Sequence, residues 1–208
     1  MIDSKVKHKD LSLSTKNFIK HVRKHLAEYG MSLVWGRGDT VHCGGYTSSA
    51  YFCEGEKMIR VARKNALWLE SLVHEYGHFT QWLDGSKIYK KSDRAIINID
   101  KWFNRETVGK VRLSKSFRTV REMERDCEIK SCRIARKFKL PIRSNGYARR
   151  ANIYIYSHWI MEEKQKFWAY SREPMHSKYI LSLVPNNFRT HTHKTIPANI
   201  YKALSKYV

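Results

Sequence analysis

The five residues from His74 to His78, which read HEYGH, constrain this sequence most strongly. They lie within the segment NALWLESLVHEYGHFTQWL, whose apolar residues recur with helical spacing up to the turn signal Asp84-Gly85. Two histidines four positions apart project from the same side of a helix, so their ring nitrogens can share one metal ion. Glu75 lies about 100° further round the helix, where it can reach a water on that ion. The pattern predicts a hydrolytic site with one Zn²⁺ ion bound by His74 and His78.

Chance is a poor explanation for this motif. Ten histidines and the glutamates of a 208-residue chain give about 0.03 accidental occurrences of HExxH. On a helical wheel the apolar residues of the segment cluster opposite the two histidines. We therefore expect the helix to pack on its apolar side and to turn its histidines toward an interior site. The apolar residues concerned are Leu69, Leu72, Tyr76, Phe79 and Leu83.

A catalytic zinc site requires three protein ligands and an open position, and a later acidic segment, REMERDCEIKSC, can supply the third ligand. Helical spacing puts Glu124 and Glu128 at the border of the apolar side of that segment and turns Glu122 away from it. We predict Glu124 as the third ligand, with Glu128 accepting a ring N–H from a metal-bound histidine. A register with Glu122 and Asp126, and ligation by Asp84 directly after the motif, remain alternatives. The apolar side is formed by Val120, Cys127, Ile134 and Phe138.

HEYGHFTQW followed by ERDCE resembles the gluzincin branch of the zincin-like metallopeptidases, and most closely its small phage-type members. The resemblance covers residues 15 to 138, the helix-sheet-helix-helix core. It implies hydrolysis of peptide bonds in a peptide or protein substrate by a metal-activated water. It also implies His74, His78 and Glu124 as zinc ligands and Glu75 as the general base. The later acid of the family is usually Asp, whereas this chain has Glu128, which keeps the register with Glu122 open.

Further residues are candidates for binding the substrate or stabilising the transition state. A Tyr, His or Arg that faces the metal would stabilise an oxyanion, and Tyr147, Tyr154 and His158 are the candidates. The strand 58–62, directly before the motif helix, is interpreted as an edge strand along which an extended peptide aligns in similar enzymes. Ordinary sheet packing explains this strand equally well.

The pattern of apolar residues predicts an α+β fold with a zincin-like core in a single domain, residues 1–208. A first helix over 14–29 is followed by a small antiparallel sheet, the motif helix and the Glu-bearing helix. The stretch 86–115 has no clear period and is interpreted as loops with short helical pieces. The core is expected over about 15–138 and a helical C-terminal extension over about 145–208. The strands are predicted at 31–35, 46–53 and 58–62, and the later helices at 117–138 and 147–170.

Charge is the strongest anomaly of composition. The chain has 40 Lys and Arg against 19 Asp and Glu, a formal net charge of +21, and no acidic residue lies between Glu128 and Glu162 or after Glu173. A basic surface favours contact with nucleic acid or an acidic protein, although a solvated surface explains it as well. The alternative function is therefore a catalytically idle zincin scaffold that acts as a basic nucleic-acid- or protein-binding module. In this interpretation the segment YARRANIYIY could stack on single-stranded nucleic acid.

The remaining features concern the environment of the protein. No apolar run approaches the roughly 18 residues of a membrane span, and the first residues lack the apolar stretch of a signal peptide. The four cysteines form no CxxC pair, so we expect free thiols in a reducing compartment. We predict a cytoplasmic protein, in the host cytoplasm if it is phage-encoded, with no membrane partner. His191 and His193 in RTHTH are interpreted as a solvated pair, with metal binding as a minor alternative.

Overall fold

The computed structural model describes residues 11–43, 46–166, 168, 173–189 and 191–208. Within them the chain is a mixture of helices and small sheets, which confirms the α+β class. None of these helices combines the length and apolar character needed to cross a membrane. All four cysteines are free, as expected. The helices are α1 Leu13–Ala27, α2 Trp68–Leu83, α3 Lys87–Phe103, α4 Lys110–Lys137, α5 Ser144–Lys164, α6 Lys178–Leu183 and α7 Ala198–Leu204, and the strands are β1 Ser32–Gly36, β2 Val41–Cys43, β3 Tyr46–Ser48, β4 Ala50–Cys53 and β5 Met58–Ala62.

The strands form two sheets, and two predictions about them are wrong. The larger sheet has the order β1-β5-β4. β4 runs antiparallel to β5, but β1 runs parallel to it, with Ser32 opposite Met58. A small antiparallel sheet was expected because local spacing does not reveal which distant strands pair. β5 is also the central strand and not an edge strand, since it pairs on both sides. β2 and β3 form a separate antiparallel pair, with Val41 opposite Ser48.

The chain forms two compact units. The first comprises residues 1–80 and 130–142, and the second comprises 81–129 and 143–208. In the described part of the first unit, α1, β5 and α2 each bury a set of apolar side chains completely. This burial holds the motif helix on its apolar side. The fully buried side chains are Phe18, Val22, Leu26, Ile59, Val61, Leu72, Val73 and Phe79.

The ends of α1 and α2 follow from local chemistry. Ser12 caps α1, since its side chain accepts a hydrogen bond from the N–H of Thr15. Ser12 thereby satisfies one of the free N–H groups in the first turn of α1. The helix begins at Leu13, one residue before the predicted start at 14. Gly30 and Gly85 adopt positive φ after α1 and α2, a conformation that glycine enters without strain.

The second unit contains a helix that the sequence analysis missed. α3 buries Ser92, Ala95 and Ile99 on one side, and these residues do have helical spacing. Ile96 and Ile97 point to solvent, and this exposed apolar pair obscured the period. α4 likewise begins seven residues before the predicted start at Phe117, within the stretch interpreted as loops.

The C-terminal helices pack on α5, which begins at Ser144 and ends at Lys164. Gln165 follows in the left-handed conformation, so the helix stops earlier than the predicted Tyr170, which lies outside the described residues. A buried apolar cluster joins α5, α6 and α7, and its members include Ile153, Tyr156, Ile160, Ile180, Val184, Ile200 and Leu204.

Candidate metal centre

His74 and His78 lie one turn apart on α2 and face each other. Their Nε2 atoms are 3.0 Å apart, and their rings stand almost perpendicular, with an interplanar angle of 89°. Two imidazoles on one tetrahedral zinc ion have nitrogens about 3.3 Å apart, given Zn–N bonds of about 2.0 to 2.1 Å. The two side chains are therefore already arranged as a pair of ligands. His78 is buried and His74 is half-buried.

Glu75 is held beside this pair by a strand. The backbone N–H of Phe52 in β4 donates to Glu75 Oε2 at 2.9 Å. Phe52 lies opposite Ile59 of β5, but its N–H points away from β5 toward the outer edge of the sheet. The carboxylate is thus fixed by the edge of β4, next to the two imidazoles. This arrangement suits a general base, which needs a defined position more than a bond to the metal.

Tyr76, the residue after Glu75, connects the motif to α1. Its hydroxyl lies 2.9 Å from His21 Nε2 and 2.7 Å from His25 Nδ1. A hydroxyl has one hydrogen, so one ring nitrogen accepts from it and the other donates to it. Burial raises the pKa of Tyr76, and burial together with His25 lowers the pKa of His21. This network was not predicted; the i, i+4 spacing of His21 and His25 is the only feature of the sequence that indicates it.

The acidic residues of α4 fall into two groups. Glu124 and Glu128 are buried, and the hydroxyl of Tyr147 donates a hydrogen bond to Glu128 Oε2. Glu122 is partly exposed and forms a salt bridge of 3.0 Å with Arg118. The burial of Glu124 and Glu128 agrees with the predicted direction of these side chains, whereas their role as ligand and support remains a prediction.

The other carboxylates offered as alternatives are differently situated. Asp126 accepts a hydrogen bond of 2.8 Å from Gln81 Nε2, and Asp84 is exposed just after α2. Asp84 therefore faces solvent, whereas Glu124 and Glu128 are buried.

Hydrogen bonds join α2 to α4 within each unit. In the first unit Ser131 Oγ donates to the carbonyl oxygen of Val73 at 3.2 Å. In the second unit Gln81 Nε2 donates to the carbonyl oxygen of Met123 at 3.1 Å.

The candidate oxyanion stabilisers lie on α5. His158 is buried, and its Nδ1 donates to the carbonyl oxygen of Tyr154 at 3.0 Å. Burial lowers the pKa of His158, although Glu124 acts in the opposite direction. The half-buried ring of Tyr154 meets the His158 ring edge-on, with centroids 4.9 Å apart. Burial therefore favours the uncharged form of His158, while the hydroxyl of Tyr147 donates to Glu128.

The prediction that His191 and His193 form a solvated pair is wrong for one of the two residues. His191 is exposed, but His193 is buried, whereas a solvated pair was expected. Its backbone carbonyl accepts a hydrogen bond from Arg121 Nε at 3.3 Å, and burial lowers the pKa of its ring to about 4. His193 is buried because Arg121, which is itself buried on α4, holds the segment of His193 against that helix.

Among the described residues, His74, His78 and Cys127 form a group that could hold a metal ion, whose identity the group does not define. Cys127, a residue of the buried stripe of α4, was not predicted as a ligand. Comparison of the chain with protein-family models, curated proteins and solved structures gives no match. The functional interpretation therefore rests on the residues themselves.

Proposed function

We propose that the protein is a zinc-dependent metallopeptidase in which His74 and His78 bind the metal and Glu75 is the general base. The observation that carries this proposal is the pair of Nε2 atoms 3.0 Å apart, next to a carboxylate that the edge of β4 fixes in position. A purely structural zinc site fills its fourth position with protein and has no use for such a carboxylate.

The third ligand is proposed to come from α4. The two contacts between α2 and α4 bracket the turns that carry the motif and the turns that carry Glu124 and Cys127. The ligand atoms of His74, His78 and Cys127 lie within 4.8 Å of one another, so α4 already brings one candidate ligand to the motif. Glu124 is our preferred ligand, because a carboxylate with two histidines leaves the metal more electrophilic than a thiolate does. Cys127 is the competing ligand.

A bound zinc ion would lower the pKa of a coordinated water to about 7 and polarise the substrate carbonyl. Glu75 would accept the proton that this water loses and later deliver it to the leaving amine. The N–H of Phe52 would keep the carboxylate aligned during both transfers. Tyr147 would hold Glu128 in place, and Glu128 would orient a ligand imidazole. The hydroxyl of Tyr154 is proposed to donate to the developing oxyanion, because the Nδ1–H of His158 is already bonded to the carbonyl oxygen of Tyr154.

The substrate is proposed to lie along β4 and not along β5. β5 has no free edge, whereas the outer edge of β4 carries the N–H that reaches Glu75. An extended peptide that pairs with this edge would bring its backbone next to the base. A zincin-like core and membership of the gluzincin type are part of the same proposal, supported by HEYGH on a helix that packs beside a sheet.

The second candidate function is a catalytically idle scaffold that binds nucleic acid or an acidic protein. The observation in its favour is the net charge of +21. The tyrosines of YARRANIYIY give it little support, because Tyr147 and Tyr156 are buried and cannot stack on bases.

Metal content and peptide cleavage separate these candidates. We expect one zinc ion per chain by elemental analysis and cleavage of a peptide library by mass spectrometry. Glu75→Gln should retain zinc and lose cleavage, His74→Ala should lose both, and Glu70→Gln, in the first turn of the same helix, should change neither. No stoichiometric zinc, even after reconstitution, would contradict the metal site. Zinc without cleavage by the wild type would favour the idle scaffold.

A further inference from the structure

One side of α1 is a continuous row of cations. Lys16, Lys20, Arg23 and Lys24 are all exposed. Their spacing puts them within an arc of about 100°, away from the buried side of the helix. The row spans about 12 Å at 1.5 Å per residue, which matches three to four steps of a nucleic-acid strand at about 3.4 Å each. Among residues 16–24, all of which the structure describes, the exposed side chains are these cations and the amide of Asn17.

A second row of exposed cations lies at the end of α4, in the same compact unit. No acidic residue occurs anywhere from 129 to 161, so nothing in this part of the sequence offsets the charge. The members of the row are Arg133, Arg136, Lys137 and Lys139.

The two rows meet at Phe138. Its ring lies 5.1 Å from the ring of Phe18 and 4.8 Å from that of His21, both on α1. Lys24 from the first row and Lys137 from the second both lower the pKa of His21, which indicates that the rows approach each other at this point. We call the eight cations of the two rows the basic ridge.

We propose that the basic ridge binds the sugar-phosphate backbone of duplex nucleic acid without reading its sequence. Repeated exposed cations along one side of a helix provide the electrostatic contacts that dominate nonspecific binding. Protein partners are less well matched, because their interfaces bury an apolar centre, and the row on α1 offers no exposed apolar side chain between Lys16 and Lys24. Single strands need exposed aromatic rings for stacking, which this row also does not present. The proposal does not depend on the metal centre.

Fluorescence anisotropy with a labelled random-sequence duplex, over a range of salt concentrations, tests this proposal. The variant carries glutamine at Lys16, Lys20, Arg23 and Lys24. It should bind at least about tenfold more weakly at low salt, and the slope of log K against log salt should become shallower by about 0.9 for each phosphate that the variant no longer neutralises. The matched control carries glutamine at four exposed cations of α3, namely Lys87, Lys91, Arg94 and Lys101. It has the same net charge and should bind nearly as the wild type does.

Three results would overturn the proposal. Equal weakening of both variants would mean that only total charge matters. If the wild type showed no salt-dependent binding, the basic ridge would not be a nucleic-acid-binding surface. Displacement of the duplex by polyglutamate at lower charge concentration than by unlabelled duplex would point to an acidic protein instead. Zinc content should be the same in both variants, so failure of the ridge and failure of the metal centre are distinguishable. Far-UV circular dichroism should show that both variants are folded.

Discussion

Tyr76 connects the motif helix to α1, a structural role that its position within HEYGH does not indicate. Its hydroxyl joins two histidines of α1 to the motif helix, and its ring meets that of Phe18 edge-on at 5.7 Å. Tyr76→Phe keeps the ring but leaves two half-buried imidazole nitrogens without this partner. We expect a loss of about 1 to 2 kcal/mol in the free energy of unfolding, measured by urea denaturation. Tyr179→Phe, at an exposed tyrosine, should cost almost nothing; equal losses would show that the network contributes no stability.

The identity of the third ligand is also decided at single residues. Glu124→Gln should weaken zinc binding severely, whereas Glu122→Gln should leave it unchanged, because Glu122 pairs with Arg118 at the surface. Glu128→Gln should be intermediate, with a loss of about 10- to 100-fold in affinity or activity. The measurement is competition for zinc with a chelating dye.

Cobalt substitution gives an independent test of Cys127. A thiolate ligand produces a strong near-ultraviolet charge-transfer band, and we expect the wild type to lack this band. A band that disappears in Cys127→Ser would make the thiolate the ligand. Severe loss of zinc binding in Glu122→Gln, and not in Glu124→Gln, would instead support the register with Glu122 and Asp126.

At the scale of elements, the packing of β1 against β2 is tight enough to test. A Cβ at Gly36 would lie 2.6 Å from Cγ1 of Val41, a buried and branched side chain that cannot turn away easily. Gly36→Ala should therefore lower the free energy of unfolding by about 1 to 3 kcal/mol. Combination with Val41→Ala should cost less than the sum of the two single changes, since the second change makes room for the first.

Gly55→Ala is the control for this prediction. Gly55 lies in an exposed turn, and a Cβ there would meet only Cys53 Sγ at 3.9 Å, an ordinary contact. Full additivity of Gly36→Ala and Val41→Ala in chemical denaturation would contradict the steric explanation.

Elements with strong local periodicity could be predicted from the sequence, and elements that depend on distant partners could not. α1 and α2 combine a clear apolar side with a terminating glycine, so both were found. α3 was missed because Ser92 and Ala95 are small and Ile97 is exposed. The parallel pairing of β1 with β5 depends on where the intervening strands fold, which no local pattern encodes.

In the candidate site, too, features with local spacing were predicted and features that depend on distant partners were not. The pairing of His74 and His78 follows from helical spacing alone, and it was predicted. The bonds of Tyr76 to α1 and of Glu75 to β4 require the packing of other elements against α2. Spacing on α4 indicated the buried direction of Glu124 and Glu128, but it did not single out Cys127, which was treated only as part of the apolar side.

For the whole molecule, acid adds charge to a chain that already carries +21. Protons taken up as the pH falls raise this charge further, and the growing self-repulsion favours the unfolded chain. This contribution acts between exposed charges, so it should weaken as salt shortens the screening length to about 3 Å at 1 M. The unfolding midpoint in urea at pH 5 should therefore rise with added sodium chloride, with sodium sulfate avoided because it also strengthens apolar burial.

Buried His193 adds an acid sensitivity that salt should not remove. In the unfolded chain it takes up a proton as the pH falls below about 6.5, whereas burial holds its pKa in the folded protein at about 4. Between these values the unfolded state binds more protons, so the free energy of unfolding decreases as the pH falls from about 6.5 to 4. His193→Gln should flatten this part of the profile in high salt, measured by urea denaturation across the pH range. His191→Gln, at the exposed neighbour, should leave the profile as it is, and an unchanged profile in His193→Gln would assign the acid sensitivity to other groups.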